Sequence, residues 1–105
     1  MDVAELDPGA ELVLRGRLGA GTIPEVRLVL HAAVDAGCGD LVLDVAELEV
    51  WDAAGLGVLV GAHDRAARRG RRLVLRDPPA RLRRLVRLAR LQRVLTMLES
   101  ATVVP

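Results

Sequence analysis

The stretch LVLDVAELEVWDAAGLGVLVGAHDRAARRGRRLVL (residues 41–75) holds the pattern that decides the fold. The segment of residues 40–45 is short, mostly apolar and contains β-branched residues, which is typical of a central strand covered on both faces. Apolar residues then recur at helical spacing and predict a helix from about Ala53 to Arg69, which ends at Gly70. Residues 71–77 return to a strand pattern. We therefore expect a parallel strand–helix–strand unit in the middle of the chain.

The sequence on either side continues this alternation of strands and helices. Thr22 is a suitable N-cap for the first predicted helix, and Gly37 is a natural stop for it. The further predicted elements are a strand over residues 11–18, a helix over Ile23–Ala36, a helix from Pro79 to about Ala89, and a strand over residues 94–98. We predict one α/β domain over residues 1–105, with a small, mostly parallel sheet of four to five strands and helices packed against it; the N-terminal strands are the exceptions to the parallel pattern.

The composition restricts the class of protein. Half of the residues are apolar (51%), Trp51 is the only aromatic residue, and Cys38 is the only cysteine, which excludes an intrachain disulfide and a thiolate zinc cluster. The acidic start has no apolar segment typical of a secretory signal, and the longest uncharged stretch, Ala53–Ala62, is about half of a membrane span. We expect a cytoplasmic protein that has no membrane span and no cofactor.

Charge is divided unevenly along the chain. All 15 basic residues are arginine and the formal net charge is only +1, yet residues 1–64 are strongly acidic and residues 65–105 strongly basic. Arginines at 81, 83, 84, 87, 90 and 93 surround apolar residues of the last predicted helix. Such a helix can be a solvated face, or it can bind nucleic acid, an anionic surface, a second copy of the chain or an acidic protein. Nucleic acid is disfavoured because the segment has no aromatic residue for stacking.

Asp52 stands at the start of the central helix. Its carboxylate can accept hydrogen bonds from the free backbone N–H groups of the first turn, so we predict an N-cap. Beyond this cap, residues 41–75 resemble the STAS domain, the family of bacterial anti-sigma factor antagonists and of the cytoplasmic domains of sulphate transporters. The matching positions are Asp44, Asp52, Gly55, Leu56, Gly57, Leu59 and Gly70.

The resemblance implies a protein that acts by binding and is not an enzyme. Antagonists of this family dock on an anti-sigma factor, usually a histidine-kinase-like ATPase with serine kinase activity, and a phosphorylated serine after the motif aspartate prevents docking. The resemblance puts Ala53 at that serine position and Ala54 at the next hydroxyl position, so neither can be phosphorylated. The partner-binding residues that we expect are Asp52, Ala53, Ala54, Gly55, Gly57 and Gly61.

Several alternatives remain at the level of sequence. Glycines inside a helix cost about 1 kcal/mol each, so Gly57 and Gly61 serve either close packing inside the domain or a flat docking face.

Small STAS proteins also act as subunits of ABC-type lipid transport systems, where they bind the ATPase and need no phosphoserine. Residues 55–61 partly match a dinucleotide loop, but the third glycine is one place late, and six residues separate the predicted strand from Asp52.

Candidates for catalysis or metal binding are few. His31, His63, Cys38 and Ser100 show no triad or metal-ligand spacing. His63 shares the apolar side of its helix, so we expect a packed, hydrogen-bonded side chain. An acidic cluster of Asp44, Glu47, Glu49 and Asp52 could attract a cation, although a solvated loop is the simpler interpretation.

Overall fold

Eight elements follow one another in residues 1–100, the part of the chain that this computed structural model describes. In chain order they are β1 (Asp2–Asp7), β2 (Glu11–Leu18), α1 (Ile23–Ala36), β3 (Leu41–Val50), α2 (Ala53–Arg68), β4 (Leu73–Arg76), α3 (Ala80–Leu88) and β5 (Thr96–Leu98). The predicted α/β class is confirmed. The predicted helices agree with α1, α2 and α3 to within about one residue at each end.

The described strands form one sheet in the order β1-β2-β3-β4-β5. β1 pairs with β2 in the antiparallel direction, and every later pair is parallel. Parallel strands joined in this order by crossovers of the usual right-handed kind have their helices on one face of the sheet, in agreement with the contacts of α2 with both α1 and α3. Leu41, Leu43 and Val45 point to that face and are fully buried. Since Val42 and Asp44 between them are only partly buried, the expectation that this strand is covered on both faces was wrong.

β3 runs five residues beyond the predicted strand end. Val13 pairs with Asp44 and Arg15 pairs with Glu47, so β3 holds one residue more than β2 at this point, and the pairing shifts as in a β-bulge. The backbone N–H of Ala46 donates to Asp44 Oδ1 at 3.1 Å within the shifted segment. The shift changes the phase of alternation, so that Leu48 and Val50 are buried again. A strict two-residue period cannot detect such a strand.

Buried Arg71 holds three segments together at the opposite end of the sheet from Asp52. Its Nη1 atom donates to the carbonyl oxygens of Ala33 and Val34 at 3.0 and 2.8 Å, which satisfies acceptors in the last turn of α1. Nε donates to the carbonyl of Gly39 at 2.9 Å, and Nη2 donates to the carbonyl of Gly9. One side chain therefore ties the end of α1 to the β1–β2 turn and to the loop before β3.

Candidate partner-binding site

The site begins where β3 ends and α2 starts. Asp52 has an extended backbone (φ −145°, ψ 172°), and its Oδ1 accepts a hydrogen bond from the backbone N–H of Gly55 at 2.9 Å. This is the N-cap that the sequence predicts. A single residue, Trp51, separates β3 from Asp52, so the six-residue loop expected there was wrong. Gly55 and Gly57 lie inside α2 and form no turn before it, which removes the geometry that a dinucleotide loop requires.

Small residues cover the outer side of the first turns of α2. Ala53, Ala54 and Gly57 are exposed, and Gly61 is half-buried one turn further along. An added Cβ at Gly57 or Gly61 would meet no heavy atom within 4 Å. Close packing inside the domain therefore does not explain these two glycines. They leave a low surface that is open to solvent, next to the capped helix start.

Gly55 differs from the other helix glycines because it is buried. A Cβ there would lie 2.8 Å from the Leu18 carbonyl oxygen and 3.1 Å from Val50 Cγ1. These contacts require glycine, since real Cβ atoms do not approach a backbone oxygen so closely. Of the expected partner-binding residues, Gly55 thus shapes the surface from beneath, and the other five reach solvent at least in part.

Trp51 is a feature of this end of the sheet that the residue pattern did not single out. The residue is 46% exposed, and two guanidinium carbons lie over its ring, Arg17 Cζ at 4.7 Å and Arg81 Cζ at 3.8 Å from the ring centroid. The indole Nε1–H donates to Glu49 Oε2 at 3.1 Å. Trp51 as the only aromatic residue, placed directly before the capping aspartate, is the signal that could have found it.

Each of the two arginines over this ring lines an open depression of the surface. One has a volume of about 360 Å³ and lies between the β2–α1 loop and Asp52, with Arg17 in its wall. The other, of about 370 Å³, lies on the first turns of α3 and includes Arg81 and Arg84. In the loop beside the first depression, Thr22 Oγ1 accepts from the backbone N–H of Gly19 at 3.1 Å, so its hydroxyl does not cap α1 as expected.

The acidic residues near this end do not form one cluster. Asp44 pairs with Arg76 at 3.4 Å, Glu47 pairs with Arg15 at 2.7 Å, and Asp52 caps α2. No group of three metal-ligating side chains occurs within residues 1–100. The alternative of a cation site on these four acids was therefore wrong.

The two histidines lie on helices in different surroundings. His63 is packed beside the core, but its Nδ1 is buried and has no hydrogen-bond partner within the described residues, contrary to the predicted hydrogen-bonded side chain. His31 lies near Arg65 and Arg27; burial first, and then repulsion from these two cations, lowers the pKa of its imidazole below 6.5. On α3, Arg83 pairs with Glu99, Arg81 lies over the Trp51 ring, and Arg84 and Arg87 are exposed.

A family model described as "Mlab, STAS domain" matches residues 1–99. No curated protein matches the chain in sequence. Solved structures share its fold over 95% of this chain. SpoIIAA of Bacillus in its phosphorylated form is 16% identical, with 90% of that chain covered and a TM-score of 0.72.

Two further structures give the same result. A candidate anti-sigma factor antagonist from Thermotoga maritima is 18% identical, with 86% of that chain covered and a TM-score of 0.75. An anti-sigma-factor antagonist (STAS) domain protein from Planctomyces limnophilus is 11% identical, with 90% covered and a TM-score of 0.75. No helix within residues 1–100 has the length and apolar character needed to cross a bilayer. The family match over residues 1–99, together with the five-stranded mixed sheet and three helices, means that this chain belongs to the STAS domain family.

Proposed function

We propose that the protein is an anti-sigma factor antagonist-like regulator of transcription, which binds an anti-sigma factor of the serine kinase type and is not itself phosphorylated at the start of α2. The observation that carries this proposal is the exposed surface of Ala53, Ala54 and Gly57 beside the Asp52 cap, with open space above it. The proposal is one of binding, without catalysis or cofactor, and of a cytoplasmic location.

The chemistry of this surface supports a permanently competent binding site. A phosphate at the helix start would add about two negative charges and three strong acceptor oxygens to a small, neutral surface. Alanine has no hydroxyl, so neither Ala53 nor Ala54 can acquire that group. Regulation would then depend on the amount of the protein or of its partner.

Bulk on this surface should block docking. We expect Ala54→Arg to weaken binding to the cognate anti-sigma factor by at least about 30-fold in calorimetric titration. The long arginine side chain would push the partner away from a surface that is otherwise in close contact with it. Ala67→Arg is the matched control, since Ala67 is also exposed on α2 and lies about 20 Å away along the helix axis. Equal binding by the two variants would contradict docking at the start of α2.

Phosphorylation tests the second part of the proposal. Incubation with the cognate anti-sigma kinase and ATP should leave the protein at its unmodified mass, whereas Ala53→Ser should gain one phosphate. Phosphate found on Thr22 or Ser100 of the unaltered chain would refute the absence of control by phosphorylation. An unmodified Ala53→Ser variant would point to a partner other than a kinase.

A second candidate is a STAS subunit that binds the ATPase of an ABC-type lipid transport system. The hydroxyl-free start of α2 suits it equally, and the family model's description names Mlab and no sigma factor. A pull-down from the native lysate separates the candidates by the protein captured: a small histidine-kinase-like ATPase, or an ABC ATPase. A third possibility, nucleic acid bound by the basic α3, would appear as DNA or RNA that salt removes.

A further inference from the structure

The two arginines that stack on Trp51 come from separate elements. Arg17 lies near the end of β2 and Arg81 in the first turn of α3, and both guanidinium groups lie over the same indole ring. The ring itself is held by its hydrogen bond to Glu49. These three side chains, Arg17, Trp51 and Arg81, are called the arginine–tryptophan stack below.

The stack has no evident role inside the domain. All three side chains are exposed, and neither guanidinium has a carboxylate partner among the ion pairs of residues 1–100. Other arginines of the described chain, such as Arg15, Arg72 and Arg76, do have carboxylate partners. Two cations drawn together on one exposed ring repel each other, and neither makes a direct ion pair within the described residues, so carboxylates brought by a partner would stabilise their arrangement.

Stacking prepares the arginines to bind carboxylates. A guanidinium that lies over an aromatic ring keeps its N–H donors in its own plane and free at the edge, where they match the two oxygens of a carboxylate. Because the ring already limits the motion of both side chains, less conformational entropy is lost when an anion binds. Each arginine also borders its own depression, so two separate acceptors can approach.

The neighbouring charges favour a protein over a nucleic acid. Glu49, which accepts the hydrogen bond of the indole, and Asp52, which lines the same depression as Arg17, lie beside the stack and would repel a continuous phosphate backbone. The indole is already stacked with guanidinium groups, so a nucleobase would compete with them for the ring. A polypeptide can place carboxylates at the two arginines and uncharged residues between them.

We propose that the arginine–tryptophan stack binds two carboxylates of an acidic protein segment, and so extends the surface at the start of α2. The inference rests on the proposed function. It adds that the segment of the partner that docks at the start of α2 is negatively charged. It predicts that the partner presents Asp or Glu residues beside the contact with Ala53 and Ala54.

A peptide titration tests the stack without any anti-sigma factor. The probe is a decaglutamate peptide with blocked ends and a fluorescent label, followed at low salt by anisotropy and by the emission of Trp51, which is the chain's only aromatic residue. We expect saturable binding that is roughly tenfold weaker in Arg17→Gln/Arg81→Gln, because two bidentate charge-assisted pairs are lost. Arg87→Gln/Arg93→Gln removes the same charge from exposed sites elsewhere and should weaken binding less than about threefold.

Three results would overturn the inference: no binding of the peptide, equal weakening in both double variants, or tighter binding of a single-stranded oligodeoxynucleotide than of the peptide. Circular dichroism of each variant confirms that it is folded. Failure of the proposed function can be distinguished from failure of this inference, since the peptide can bind the stack even where no anti-sigma factor binds the chain. Conversely, Ala54→Arg could lose binding to the anti-sigma factor while Arg17→Gln/Arg81→Gln binds it unchanged. This result would support the proposed function and refute the proposed role of the stack.

Discussion

Gly55 lies so close to Leu18 that a Cβ added to Gly55 would be 2.8 Å from the Leu18 carbonyl oxygen. The first turn of α2 therefore crosses directly over the end of β2. Gly55→Ala forces this turn away from the sheet, and we expect it to lower the free energy of unfolding by about 1–2 kcal/mol despite alanine's better helix propensity. Urea denaturation measures the change. Unaltered stability would mean that α2 can shift at no cost.

Gly57 provides the matched opposite case, two residues further along the same helix. An added Cβ there meets nothing within 4 Å, so only the helix propensity changes. We expect Gly57→Ala to raise the free energy of unfolding by about 1 kcal/mol in the same urea experiment. A loss of stability would reveal a packing role for Gly57 and would weaken the argument that this face is kept low for a partner.

The sequence was sufficient for most of the fold because the three helices carry clear periodicity and recognisable end signals such as Asp52. It failed where tertiary contacts override a local rule. The bulge near Ala46 shifts the alternation of buried and exposed residues in β3, so the pattern did not predict the last five residues of this strand. The acidic β1 has no apolar alternation of its own and is a strand only because β2 offers it an edge.

The candidate site was only partly predictable for the same physical reason. Asp52 and the small residues after it are neighbours in sequence, so their shared surface could be inferred. Arg17 and Arg81 are far apart in the chain and meet at Trp51 only once the sheet is assembled. Likewise, nothing local indicates that Arg71 rather than Arg72 turns inward.

Arg71 and Arg72 are adjacent arginines with opposite surroundings. Arg71 is 5% exposed and donates to four backbone carbonyls, whereas Arg72 is exposed and pairs with Asp40 at 2.6 Å. Arg71→Met leaves buried acceptors without donors, so we expect a loss of about 3 kcal/mol in the free energy of unfolding. Arg72→Met should cost less than about 1 kcal/mol, because an exposed ion pair contributes little. Similar losses in the two variants would show that the Arg71 hydrogen bonds are not what joins α1 to the β1–β2 turn.

His31 makes the stability of the fold depend on pH. Burial, followed by repulsion from Arg65 and Arg27, lowers the pKa of its imidazole below 6.5 in the folded state, while Asp35 opposes this shift. Between the two pKa values the unfolded chain binds more protons than the folded chain, so stability rises as the pH increases through that window and levels off above about 6.5. His31→Gln should remove this part of the slope in thermal unfolding measured from pH 4 to pH 8.

Arg65 offers a direct test of the cause of this pKa shift. Arg65→Gln removes a cation near His31 and also releases Asp35 from the hydrogen bonds at 2.9 and 2.7 Å that Arg65 donates to it. Both changes favour the imidazolium, so we expect the His31 pKa to rise, as measured by NMR titration of its imidazole C–H resonances. Arg15→Gln is the control, because Arg15 pairs with Glu47 on β3 and does not contribute to the shift of the His31 pKa. If the His31 pKa is the same in Arg65→Gln and in the unaltered protein, burial alone sets it and the repulsion from Arg65 has no measurable effect.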